Sequence, residues 1–104
     1  MNGAKKSSQE CKATLAYVSP MPPSRSGVAD YSVNLVKRLQ KEFRVNVYSQ
    51  ESAIHHNKDL SIRTYDKFKG KEDHIIYNIG NHKEYIAIYK LLKKYPGDVI
   101  MHDL

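Results

Sequence analysis

The feature that most limits the fold is a set of short apolar runs: Ala13 to Ser19 (ATLAYVS), His74 to Ile79 (HIIYNI) and Asp98 to His102 (DVIMH). Each has the length of a strand. The apolar residues are consecutive rather than alternate, the pattern of a strand buried on both faces. Such strands belong to parallel sheets whose crossovers are helical. Two amphipathic stretches stand where crossovers are needed. Val28, Tyr31, Ser32, Leu35, Val36, Leu39 and Phe43 recur at three- and four-residue spacing, with Lys37, Arg38, Lys41 and Glu42 opposite. Tyr85, Ile86, Ile88, Tyr89, Leu92 and Tyr95 make a second apolar face, opposite Lys83, Ala87, Lys90 and Lys94 and stopped by Pro96 and Gly97.

Arg44 to Ser49 (RVNVYS) alternates as a strand does, and Leu60 to Tyr65 (LSIRTY) does so more weakly. Between them QESAIHHNKD has no useful period and reads equally as a short helix or a loop. Lys67 to Asp73 is a charged turn around Gly70. The order strand, helix, strand, strand, strand, helix, strand predicts an α/β fold. It is a partial Rossmann-like parallel sheet of about five strands with flanking helices, occupying residues 13–104 after a disordered polar tail, residues 1–12. The 104 residues allow one core. The last apolar strand is followed by no covering helix and no further strand. An open edge of that kind is expected to be completed by another polypeptide, by a homo-oligomer, or by the rest of a longer protein.

No apolar run approaches the roughly 20 residues that cross a bilayer, and the tail lacks the apolar stretch of a secretory signal. The expected location is therefore cytoplasmic, with a peripheral membrane position as the variant that charge permits. The single cysteine, Cys11, excludes an internal disulfide and a cysteine-based metal cluster. His55 and His56 are adjacent and lack a well-spaced partner, so no metal and no cofactor is proposed. Seventeen Lys and Arg against eleven Asp and Glu leave a net charge of +6, which attracts nucleic acid, anionic lipid, acidic proteins and phosphorylated substrates alike. The basic residues are scattered, as on solvated helix faces. Specific nucleic-acid binding is not expected, because neither a groove-reading helix nor an aromatic stacking platform is recognisable.

Ligands of such sheets bind beyond the carboxyl ends of the strands, where the strand order reverses. This selects the loops after Val18, Ile79 and Met101: SPMPPSRSG, GNHKE and HDL. In the first, Pro20, Pro22 and Pro23 restrict the backbone and Gly27 permits close approach. The amides of Gly27, Val28 and Ala29 lie near a helix amino end that favours an anion, and Ser24 and Ser26 add hydroxyls. As plain structure, Ser26 is an N-cap and the prolines shape a turn. Asp30 compensates the helix dipole or, secondarily, contacts an acceptor hydroxyl. Gly80 makes a tight turn, and Asn81 caps the next helix or bonds a ligand. His102 can donate to a sugar hydroxyl or phosphate with Asp103 orienting it; otherwise the two are a solvent-exposed pair.

SPMPPSRSGVADYSVNLVKRL and IIYNIGNHKEYIAIYKLLKKYPGDVIMHDL resemble the amino-terminal domain of glycosyltransferase family 4, retaining enzymes of GT-B fold that use nucleotide-sugars. The likeness runs from about Leu15 to Leu104, the middle, Gln50 to Asp73, matching only in its expected elements. It implies that Ser26 and Gly27 face an interdomain cleft near the donor diphosphate or acceptor. Gly80 and Asn81 would line the acceptor side, His102 would contact the transferred sugar, and Asp103 would support that corner. Family members are several times longer, and their second Rossmann domain holds the nucleotide. The resemblance thus implies an incomplete acceptor-side half, which would engage nucleotide-sugar and acceptor only with a carboxyl-terminal domain and would have no transfer activity alone. The alternative is a non-catalytic basic module for an anionic membrane surface or an acidic partner protein.

Overall fold

The computed structural model describes residues 12–24, 27–57 and 59–102, with Gly27 and His56 as backbone alone. Strand β1 (Thr14–Val18) leads through the proline loop to helix α1 (Gly27–Leu39), strand β2 (Arg44–Ser49) and helix α2 (Glu51–His56). Strand β3 (Ile62–Thr64) follows, then a 3₁₀ turn (Tyr65–Lys67) and strand β4 (His74–Ile79). A second 3₁₀ turn (Lys83–Tyr85) runs into helix α3 (Ile86–Lys94), and strand β5 (Asp98–Met101) completes the sheet. The strands form one sheet in the order β3-β2-β1-β4-β5, with every neighbouring pair parallel. The fold is therefore the α/β, partial Rossmann-like arrangement that the apolar runs predict.

The most apolar run takes the centre. In β1, Tyr17 lies opposite Val47 of β2 and Ile76 of β4, so the strand is hydrogen-bonded on both sides. Strand alternation divides the core in two. Leu15, Tyr17, Val45 and Val47 pack with Val33, Val36, Leu39 and the α2 residues Ala53 and Ile54. On the other face Ala16, Val18, Tyr48, Tyr77 and Ile79 pack with Phe68, Tyr85, Ile88 and Leu92. Helices α1 and α2 thus cover one face and α3 the other.

The ambiguous segment after β2 is a helix, one and a half turns long and begun by Gln50. Gly70 supplies the left-handed φ of 69° in the charged turn, where a Cβ would also collide with the Tyr95 ring. Two expectations are corrected. β5, read as a third buried strand, is exposed at Asp98, Val99 and Met101 and only half-buried at Ile100, because it pairs with β4 alone at the sheet edge. Within the second amphipathic stretch, Ile86 and Tyr89 remain exposed. The buried stripe runs through Tyr85 and Ile88 with Leu91, Leu92 and Tyr95 partly covered, so a sheet-facing helix buries a narrower arc than its apolar residues span.

Candidate functional site

The order 3-2-1-4-5 places the reversal of strand order between β1 and β4. The chain leaves β1 toward β2 and β3, then returns to β4 on the far side of β1. Because the strands are parallel, the proline loop, the Gly80–His82 corner and His102 all leave the same edge. The structure brings the starts of these three loops to one edge of the sheet, as expected of the carboxyl ends of parallel strands.

A chain of hydrogen bonds ties the edge to the core. His102 Nε2 lies 2.8 Å from Asn78 Oδ1, and Asn78 Nδ2 donates to the Tyr17 hydroxyl at 2.6 Å. Tyr17 Oη is 2.8 Å from Ser32 Oγ, which is 3.1 Å from Ser19 Oγ. Ser19 Oγ donates onward to the Pro20 carbonyl at 2.9 Å. Tyr17, Asn78, Ser19 and Ser32 are fully buried, and His102 is half-buried at the outer end. Strand geometry explains the assembly: Tyr17, Asn78 and His102 lie on β1, at β4 and just past β5, on the face that α1 covers. Burial raises the Tyr17 phenol above its ordinary value, although its bonds to Ser32 and Asn78 oppose the shift. The His102 backbone N–H is held by the Ile79 carbonyl at 2.8 Å, and its ring and that of Tyr31 meet in a T-shaped contact with centroids 6.0 Å apart.

Sequence reasoning overlooked four of these residues. The signal was present in two places: Asn78 interrupts the run HIIYNI, and Ser32 stands on the apolar face of its helix. A polar side chain in a position that periodicity reserves for an apolar one needs a buried partner.

The proline loop is clamped. Gln50 accepts from the Met21 N–H at 3.2 Å and donates to the Met21 carbonyl at 2.6 Å, while Asn57 donates to the Pro22 carbonyl at 2.8 Å. The Met21 side chain is buried among the α1 and α2 residues of the core. The Pro22–Pro23 peptide is cis. On its outer side Ser24 donates to Glu84 at 2.9 Å, joining the loop to the corner after β4. A cleft of about 280 Å³ lies here, lined by Pro20, Pro23, Ser24, Gln50, Tyr65 and Glu84. Burial lifts the Tyr65 phenol well above its ordinary value. A hollow of about 230 Å³ lies beside Tyr31, lined also by Asn34, Leu35 and Arg38. Neither lining includes Gly80, Asn81 or His102.

Gly27 begins α1, and Asp30 is exposed in its first turn, where an acid complements the helix dipole. Gly80 is buried, and a Cβ there would come within 2.7 Å of the Tyr85 ring. Asn81 is exposed, and the cap position of the following turn is taken by His82 without a side-chain bond. Ser26 and Asp103 lie outside the described residues, as do Cys11 and all of the tail except Lys12. Among the described residues no three His, Cys, Asp or Glu side chains group as metal ligands, and no helix is long and apolar enough to cross a membrane. Compared with protein-family models, curated proteins and solved structures, the chain shows no match.

Proposed function

We propose that this chain is the amino-terminal, acceptor-side part of a retaining glycosyltransferase that moves a sugar from a nucleotide-sugar to an acceptor. The observation that carries the reading is the placement of His102. It stands at the carboxyl edge beside the reversal of strand order, its ring anchored to a buried amide. A polar residue fixed at that edge is suited to meet a ligand. The resemblance of the proline loop and the strand-end His-Asp to family 4 supplies the substrate class.

In this reading Gly27 and the amides after it offer N–H groups to the donor diphosphate or acceptor, with Ser26 beside them. Asp30 reaches an acceptor hydroxyl, and Asn81 and the backbone of Gly80 border the acceptor. His102 meets the transferred sugar, and Asp103 supports it. The leaving nucleoside diphosphate is stabilised by a second lobe, so this chain binds and positions without completing the transfer.

Transfer from uridine- and guanosine-diphosphate sugars, assayed with this chain completed by a carboxyl-terminal nucleotide-binding lobe, tests the reading. Gly27→Ala and His102→Ala are expected to lose most of the transfer activity of the completed enzyme, and the 104-residue chain alone is expected to show none. Turnover by the chain alone, or full activity of both variants in the completed enzyme, would overturn it. The alternative, a basic module for anionic lipid or an acidic protein, has less support. Its cations divide between α1 (Lys37, Arg38) and α3 (Lys90, Lys93, Lys94), helices that cover opposite faces of the sheet. Flotation with anionic but not neutral vesicles would favour it.

A further inference from the structure

Counting protons along the buried chain gives it a direction. The Pro20 carbonyl can only accept, so the Ser19 hydroxyl proton is committed to it. The contact between Ser19 and Ser32 must then use the Ser32 proton, and the contact between Ser32 and Tyr17 must use the phenol proton. Tyr17 has no proton left for Asn78 and accepts from the Asn78 amide nitrogen. The Asn78 carbonyl oxygen is thereby turned toward His102, where it can only accept. All five contacts are satisfied together in this one sense.

We infer that the chain Pro20–Ser19–Ser32–Tyr17–Asn78 is a positioning device that holds the neutral His102 ring with its proton on Nε2, so that Nδ1 meets a ligand as a hydrogen-bond acceptor. Among the described residues Nδ1 has no hydrogen-bond partner, and the ring is half-buried rather than enclosed. A neutral ring so oriented takes a hydroxyl, which can donate, and rejects a phosphate oxygen, which cannot. The role as acceptor toward a sugar hydroxyl rests on the function proposed above; the direction of the chain does not.

The energetic lever is at the far end. Reversing every bond would keep four contacts and lose the one to Pro20, so one net hydrogen bond separates the two directions, a bias of about tenfold. The proposal is tested on the ligand-free chain by long-range proton–nitrogen correlation spectra of the histidine rings, about two pH units above the ordinary histidine value. The wild-type His102 is expected to show the Nε2–H pattern with the Nδ1–H form as a minority of about a tenth or less. Ser19→Ala frees the chain to reverse, and the ratio of Nδ1–H to Nε2–H should rise about tenfold. Ser32→Ala, which returns the Tyr17 proton to Asn78, should raise it as well and serves if Ser19→Ala does not fold. Ser61→Ala, at an exposed position, should leave it unchanged. An Nδ1–H ring in the wild type, or the same ratio in wild type and both serine variants, would overturn the inference. Because no sugar is present, failure here leaves the glycosyltransferase reading standing. Full transfer activity of Gly27→Ala and His102→Ala in the completed enzyme, with the tautomer pattern intact, would sink that reading and leave this one.

Discussion

A Cβ on Gly80 would stand 2.7 Å from Cε2 and 2.9 Å from Cζ of Tyr85, whose ring is fully buried. The glycine at the end of β4 is therefore shaped to an aromatic side chain five residues on. Gly80→Ala should destabilise the protein by about 1–3 kcal/mol, the usual cost of overpacking. Tyr85→Leu in the same chain should relieve part of that loss, so that the double variant is more stable than the sum of the singles predicts. Urea unfolding of the four proteins measures the coupling, and strict additivity would show that the two residues do not share the space.

Gln50 holds the Met21 peptide by both its N–H and its carbonyl. Gln50→Ala should cost about 1–3 kcal/mol, because the Met21 N–H loses its acceptor and the Met21 carbonyl is left with the Ser24 N–H alone. The loss should be local before it is global. Hydrogen exchange at the amides of Met21 and Ser24 is expected to accelerate more than exchange in β1 or β4. Uniform acceleration would mean that Gln50 stabilises the sheet rather than the loop.

Asp73 accepts from the Thr14 N–H at 2.9 Å and from the Thr14 hydroxyl at 3.1 Å, and these bonds hold its carboxyl below the ordinary value of 3.8. A depressed folded value stabilises the charged form. The contribution is present above 3.8 and is lost as pH falls through the lower, folded value. The stability difference between wild type and Asp73→Ala should therefore be constant near neutrality and shrink below pH 3.8. A difference that grows on acidification would have the wrong sign.

Tyr48 and Tyr77 behave in the opposite sense. Burial is the main cause that pushes both phenols up to about 12, with the nearby Glu72 carboxylate adding to each. Glu72 accepts from the Tyr48 hydroxyl at 2.6 Å. Raised values stabilise the neutral phenol, so the contribution is intact below 10.0 and disappears as pH rises toward 12. Alkaline unfolding should coincide with the appearance of phenolate absorbance, and Tyr48→Phe should flatten the steep part of that limb. Phenolate formation well before loss of circular dichroism would show these hydroxyls to be accessible.

Much of the fold was legible because its signals are local. The run ATLAYVS marks a strand buried on both faces, and it stands at the centre of the sheet, paired on either side. The spacing of Val28, Ser32, Val36 and Leu39 marks α1, which buries that face. Composition was less informative about DVIMH. Its apolar residues suit a buried strand, yet Met101 is 67% exposed because β5 has a neighbour on one side only. The loops of the candidate site could be located by rule, since carboxyl ends of parallel strands share an edge. Their support could not. Gln50, Asn57 and Glu84 look like ordinary polar residues in a connecting segment and become loop anchors only when the loop is beside them.

The sequence by itself determined the type and order of the main elements, the two-sided covering of the central strand and the three loops at one edge. Each of these follows from periodicity and turn chemistry within a few residues. Only the tertiary structure decided which strand lies next to which, how far α3 and β5 are covered, and how His102 is anchored. Tyr17 and Asn78 are 61 residues apart and meet because β4 returns to the open side of β1. No local pattern encodes that meeting, since two buried polar groups lower each other's desolvation cost only once the sheet has brought them within hydrogen-bond distance.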